Sequence, residues 1–175
     1  MLRVGRGDGD ACRLLVERHL GRVVAFAARV LGSPSDAEDV AQEVFARVWT
    51  SARGWQPSAR FTTWLHRVAL NLCLDRLARR RESALDEAPE PVDPCPTPAR
   101  RLEEAEVTRV VGREIAALPE RQRIALALCH YQGLRNDEAA EIMEITIEAL
   151  ESLLARARRT LRARLQPLAP ELLGA

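Results

Sequence analysis

An all-α protein of two small helical domains is predicted by three observations in these 175 residues. Runs of β-branched residues are absent. Apolar residues recur at i, i+3, i+4 and i+7 in several windows, the period of a helix buried on one face. Five prolines and four acids collect in 83–99 without a single base, a composition that cannot bury a core and so forms an extended tether. The domains are accordingly 1–82 and 100–175, with 83–99 as a flexible acidic linker.

The first amphipathic helix spans 10–31, with Leu14, Leu15, Val23, Phe26, Ala27 and Val30 as its apolar positions. Gly32-Ser33-Pro34 stops it, and Ser35-Asp36-Ala37-Glu38 fits a capping box for the next. That helix places Ala37, Val40, Ala41, Val44, Phe45, Val48 and Trp49 on one face and Asp39, Gln42, Glu43 and Arg47 on another. A loop from Arg53 to Thr62 carries Gly54, Trp55 and Pro57. The third helix begins with large aromatics and ends in Arg79-Arg80-Arg81, with Arg67, Asn71 and Asp75 four residues apart as a polar ridge.

In the second domain one helix runs from about Arg100 to Leu118. Pro119 fits the first position of the next, which reaches His130 or Tyr131 and ends at Gly133. Asn136 caps a short helix with Ala139, Ala140, Ile142 and Met143; Glu144-Ile145 is a tight turn. Thr146 caps a longer helix, about 147–165, with Ile147, Leu150, Leu154, Ala157 and Leu161 inward. Short helix, tight turn and longer helix rich in arginine is helix-turn-helix geometry, which a plain αα-hairpin shares.

Charge and cysteine usage narrow the function. All 26 basic residues are arginine, the residue suited to phosphate contact. Residues 1–82 hold 14 arginines against nine acids, 83–99 four acids and no base, 100–145 seven bases against nine acids, and 146–175 five against three. This positive–negative–positive layout suits a nucleic-acid binder with an acidic linker. Cys12, Cys73, Cys95 and Cys129 form no C-x-x-C pair, and no second pair joins Cys129-His130. Free thiols, no metal and no cofactor are expected. No nucleophile–base pair or phosphate loop points to an enzyme. No signal peptide or membrane-length apolar run is present, so a cytoplasmic protein without membrane contact is expected.

Aromatics at the start of a helix stack on unstacked bases, and arginines at its end hold phosphates. Trp55, Phe61 and Trp64, with Asn71 and the arginines, therefore suggest single-stranded or melting DNA; Trp64 is equally a core position one turn before Val68.

The two halves together resemble one family, the bacterial extracytoplasmic-function (group IV) sigma factors of the sigma-70 class. Asp36-Ala37-Glu38-Asp39-Val40-Ala41-Gln42-Glu43-Val44-Phe45-x-Arg47-Val48-Trp49 looks like its polymerase-docking segment. Phe61-x-Thr63-Trp64-Leu65-x-Arg67-Val68-Ala69-x-Asn71, followed by Asp75 and Arg79-Arg80, looks like its promoter-melting helix. Leu118-Pro119-x-x-Gln122-Arg123, Gly133-Leu134, Glu138-Ala139-Ala140 and Leu150-x-Ser152-Leu153-Leu154-x-Arg156-Ala157-Arg158 look like its C-terminal helix-turn-helix. The resemblance covers about residues 10–165.

It implies a monomeric, non-catalytic factor that joins core RNA polymerase at clamp and flap, recognises minus-thirty-five and minus-ten promoter elements, and serves a stress- or signal-responsive regulon under an anti-sigma factor. Asp39, Gln42, Glu43 and Arg47 would dock on the polymerase. Trp55, Phe61, Trp64, Arg67, Asn71, Arg76, Arg79 and Arg80 would meet the minus-ten DNA, with the loop at 53–62 holding a flipped base. Glu151, Ser152, Ala155, Arg156, Arg158, Arg159 and Arg162 would meet the minus-thirty-five duplex. Glu151 stands where the family often has a base: it accepts from a cytosine amino group or only favours the helix N-terminus. The linker is a solvated tether or, by resemblance, an RNA mimic in the polymerase exit channel. Two other readings are a conventional helix-turn-helix regulator, which leaves Phe61–Arg81 without a role, and a helical adaptor.

Overall fold

The computed structural model describes residues 1–56, 60–83 and 102–168. The chain divides into two compact units, Met1–Pro91 and Val92–Ala175. All regular elements among the described residues are helical. The expected linker 83–99 lies almost wholly outside the described residues, as does Cys95.

The first unit holds α1 (Leu2–Gly5), α2 (Gly9–Leu31), α3 (Pro34–Ser51), a 3-10 turn (Ala52–Gly54) and α4 (Phe61–Ser83). Its core follows the predicted periodicity in large part. Val23, Phe26, Ala27 and Val30 of α2 are buried against Ala37, Val40, Ala41, Val44 and Val48 of α3 and Leu65, Ala69, Leu70, Leu72 and Cys73 of α4. Burial on this scale is the main cohesive force of a three-helix unit. Leu14 and Trp49 depart from the expected inward positions: both are about half exposed. Helical spacing identifies a face, but the width of the partner decides how much of it is covered. Phe45 is half-buried.

Caps fix the helix starts. The Asp8 carboxylate accepts from the Ala11 N–H at 2.9 Å, and this bond, with the Arg3 guanidinium, holds its pKa below the usual value. Gly32 ends α2 in the left-handed conformation at φ 68°. The cap of α3 is Ser33, not Ser35: its hydroxyl accepts from Asp36 N, and Pro34 takes the first helical position. Proline there loses no hydrogen bond, so it moves the start two residues upstream. α1 has no counterpart in the periodicity reading because a four-residue helix leaves no repeat to detect.

The second unit holds α5 (Leu102–Ala116), α6 (Glu120–Leu126), a π turn (Ala127–Tyr131), α7 (Asn136–Met143), α8 (Ile147–Leu165) and a closing 3-10 turn (Gln166–Leu168). Ile115, Leu118, Leu126 and Ala157 form one buried cluster, with Val111 and Leu161 packed against it. Pro119 caps α6 rather than opening it, and Arg135 precedes α7 where Asn136 was expected to cap; both shifts are one residue. The Glu138 carboxylate reaches back to the Arg135 N–H at 3.1 Å, which satisfies a donor that the helix start would strand. Arg123 donates to the Ala116 and Leu118 carbonyls at 2.6 and 3.3 Å, closing the α5–α6 corner. The Thr146 hydroxyl accepts from Ala149 N at 3.2 Å and caps α8 as expected. Leu150, Leu154 and Ala157 are buried, but Ile147 is exposed.

Glu144 makes the turn between α7 and α8 at φ 53°, ψ 47°. This is left-handed space that an L side chain occupies at a cost. Gly133, at φ 67°, makes the preceding bend without that cost. Replacing Glu144 with Gly is expected to raise stability by about 0.5–1 kcal/mol, relief of strain being partly offset by the freer unfolded chain. Urea unfolding of the variant checks this, and an unchanged or lower midpoint refutes it.

Candidate nucleic-acid interface

α3 presents Asp39, Gln42, Glu43 and Arg47 together on its exposed side. Arg47 donates to Glu43 at 2.7 Å, one helical turn away. Exposed pairs of this kind contribute little to stability, so this face is available to a partner at small cost.

The aromatics of the loop and of α4 meet. Trp55 lies edge to face with Trp64 at 5.1 Å and with Phe61 at 6.0 Å between ring centroids, while Phe61 and Trp64 are tilted by 31° at 6.1 Å. All three are half-buried. Trp64 is therefore neither a closed core residue nor a free platform; it belongs to a small aromatic cluster that is partly exposed. His19 of α2 supports the cluster from below, 5.3 Å from Phe61. Burial, then the neighbouring Arg22 and Arg18, holds the His19 pKa below its usual value and so favours the neutral ring beside the aromatics. The periodicity reading did not select His19; its spacing from Val23, one turn along α2, is the signal that marks it.

The polar ridge of α4 is graded. Arg67 is half-buried, whereas Asn71, Asp75 and Arg79 are exposed. His66, on the inner side, is buried and places Nδ1 2.8 Å from the Thr62 carbonyl, where it donates. Buried Cys73 has its thiol pushed up to about 12 by desolvation, so it stays protonated and inert.

Arg76 and Arg80, expected at the minus-ten DNA, both meet carboxylates of α3 in the free chain. Arg76 reaches Asp36 and Asp39 at 3.3 and 3.1 Å. Arg80 pairs with Asp36 and donates to the Leu31 carbonyl at 3.0 Å. Both arginines thus join α4 to α3, and Arg80 also closes the C-terminus of α2. Spacing within α4 could not show this, because the partners lie 37 to 49 residues away in sequence.

In the second unit Glu151, Ala155, Arg156, Arg158, Arg159 and Arg162 are exposed on α8 and Ser152 is half-buried. Arg156 donates to the Ser152 hydroxyl at 2.9 Å, one turn back. Glu151 accepts from the Asn136 amide of α7 at 3.4 Å. This contact is a third role for Glu151 beside the two read from sequence. The Glu148 carboxyl is held below its usual pKa by its own N–H and then by the Thr146 hydroxyl, as an acid at a helix start should be. Among the described residues no three metal-ligating side chains converge, and no helix is long and apolar enough to cross a membrane.

A partly exposed aromatic cluster beside a polar helix, and a helix-turn-helix with an arginine-rich second helix, define a DNA-binding transcription protein of two helical units. Comparison with known proteins narrows the class. Residues 15–83 match the model for Sigma-70 region 2, and 108–161 match Sigma-70, region 4. The chain is 34% identical over 152 residues to the ECF RNA polymerase sigma factor SigE of Mycolicibacterium smegmatis, covering 85% of this chain but 59% of that protein. It is 32% identical over 177 residues to the ECF RNA polymerase sigma-E factor of Haemophilus influenzae, covering 95% and 93%. Among solved structures, CnrH in complex with the cytosolic domain of CnrY is similar at TM-score 0.70 and 28% identity over 94% of each chain. The sigma factor RpoE of Bartonella quintana, solved with the anti-sigma factor NepR, has the same fold at TM-score 0.76 and 21% identity, covering 88% of this chain and 96% of that one. The chain belongs to the ECF RNA polymerase sigma factors of the sigma-70 family, alternative sigma factors that initiate promoter-specific transcription.

The Arg80–Asp36 contact predicts energetic coupling within the fold. In a double-mutant cycle of Arg80→Ala and Asp36→Ala, unfolding is expected to show about 0.5–1.5 kcal/mol of coupling, modest because both groups are partly exposed. With core enzyme and promoter DNA, Arg79→Ala is expected to lower the salt slope of binding by about 0.7–0.9, the share of one phosphate, whereas Arg80→Ala leaves it unchanged. Equal loss of slope in both variants would make Arg80 a phosphate contact.

Proposed function

We propose that this sigma factor docks on core polymerase through the α3 face of Asp39, Gln42, Glu43 and Arg47, and opens the promoter with the aromatic cluster and α4. One observation carries the reading: Trp55, Phe61 and Trp64 converge at one end of a helix that also presents Asn71 and Arg79 to solvent. A base flipped from the minus-ten element loses its stacking neighbours, at a cost of a few kcal/mol. Partly exposed rings supply a replacement surface, and a carboxamide such as that of Asn71 can bond to a base edge. Arg67 and Arg79 would hold the displaced backbone. Arg76 and Arg80 would act one step removed, by bracing α4 on α3.

The minus-thirty-five element would be read by α8. Residues 136–155 carry six acids and no base, while 156–164 carry five arginines. Phosphate attraction therefore lies in the C-terminal half of α8, in Arg158, Arg159 and Arg162. Arg156 and Ser152, joined by a hydrogen bond, face the bases. Glu151, steadied by Asn136, is an acceptor suited to a cytosine amino group; Ala155 adds only a methyl surface.

The domain plan remains 1–82 and 100–175 with 83–99 as an acidic tether, a reading supported by its proline content. Mild proteolysis should cut within 83–99 and release two folded fragments. The protein would act as a cytoplasmic monomer serving a signal-responsive regulon. CnrH, solved with the cytosolic domain of CnrY, supports a further protein partner, and an anti-sigma factor is the partner we propose.

Run-off transcription with core enzyme on genomic fragments tests the whole reading. Trp55→Ala with Asn71→Ala is expected to abolish permanganate reactivity of promoter thymines while polymerase binding persists. Wild-type reactivity in that variant would remove both residues from the mechanism. For α8, Arg156→Ala is expected to cost about 1–3 kcal/mol and relax selectivity at one base pair, whereas Arg162→Ala weakens all promoters alike. A panel of single-base promoter variants distinguishes the two outcomes.

A further inference from the structure

α1 is too short to hold itself together, yet it is anchored on both sides. Val4 is 4% exposed. Arg3 donates to the Asp8 carboxylate at 2.8 Å, and that carboxylate caps α2. Between these anchors Gly5 lies against the 3-10 turn that follows α3. A Cβ on Gly5 would stand 2.9 Å from the Ala52 carbonyl carbon, closer still to its oxygen, and 3.4 Å from Arg53 Cα. These are backbone atoms, which cannot swing aside as the end of a side chain does. The same Ala52 carbonyl accepts the Trp55 N–H at 3.3 Å. The group that Gly5 touches is therefore the group that sets the backbone of Trp55, whose ring packs on Phe61 and Trp64. Gly9 and Gly21 have no such neighbour: a Cβ on either would meet nothing within 4 Å.

We propose that Gly5 is a positioning residue for promoter opening: its bare backbone lets α1 seat on the Ala52 carbonyl, and that seat aims Trp55 at the flipped base. The inference rests on the reading of Trp55, Phe61 and Trp64 as the base receptor. A methyl group at residue 5 must displace either α1 or the turn, and displacement of the turn carries Trp55 with it. Small shifts in a stacking surface are expensive because ring contact is lost over the whole face.

The test uses holoenzyme assembled from the full chain and core polymerase, with a fluorescent single-stranded DNA carrying the minus-ten sequence of a promoter it transcribes. Gly5→Ala is expected to weaken binding at least about fivefold, the lower end of the loss of one stacked base. Gly9→Ala should bind as wild type does. In a Trp55→Ala background, Gly5→Ala should add less than about twofold, because a residue that acts through Trp55 has nothing left to position. Val4→Ala, which loosens the α1 anchor without the clash, should give a smaller loss that also vanishes in the Trp55→Ala background; it decides the matter if Gly5→Ala does not fold by circular dichroism. Wild-type affinity in Gly5→Ala, or its full loss persisting without Trp55, overturns the proposal. If Trp55→Ala alone binds as wild type does, the base-receptor reading itself fails, and this inference with it.

Discussion

Arg80 stands where three helices of the N-terminal unit meet. Its guanidinium takes the Leu31 carbonyl at the end of α2 and the Asp36 carboxylate in the first turn of α3. The polarity is consistent at both ends: a cation meets the negative end of one helix, and an acid sits at the positive end of the next. Apolar burial holds the unit together, but it is non-directional and would tolerate a range of helix rotations. A planar fork with two fixed partners narrows that range. Asp36 also receives Arg76, which in turn reaches Asp39 on the exposed face of α3. The face proposed for polymerase and the helix proposed for melting are therefore tied by one short chain of ion pairs, so that α3 cannot rotate without disturbing α4.

On that frame the aromatic cluster is built from both of its approaches. Phe61 and Trp64 come from the start of α4, whose register the arginines at its far end set. Trp55 comes from the turn after α3, whose position depends on the backbone contact with α1. Edge-to-face packing satisfies the ring quadrupoles yet leaves ring surface uncovered. His19 fills the space beneath, and its depressed pKa keeps an extra cation from the buried side.

The second unit is organised on a different principle. Its core is small and aliphatic, and its geometry is set mainly by backbone punctuation: Gly133 and Glu144 in left-handed conformations, and Thr146 as a cap. Glu144 shows that a helix-turn-helix bend accepts a side chain when the helices on either side pay the strain. In the proposed complex the acids that surround this bend would oppose DNA phosphate, and the arginines of the later turns of α8 would offset them.

Sequence alone determined the helical class, the two units, most of the core and the exposed faces of α3 and α8. These depend on local period and composition, which are properties of neighbours in the chain. It also located the tight turn at Glu144-Ile145, while the left-handed conformation of Glu144 came with the structure. The linker's composition is equally legible, although its residues lie outside the described structure. Tertiary structure alone decided the partners of Arg76 and Arg80, the support of Phe61 by His19, the hydrogen bond between Asn136 and Glu151, and the approach of Gly5 to Ala52. Each joins residues 15 to 49 apart in sequence. No periodicity encodes such pairs. An arginine at a helix end has the same local signature whether it meets phosphate or a carboxylate, and only packing brings the carboxylate to it.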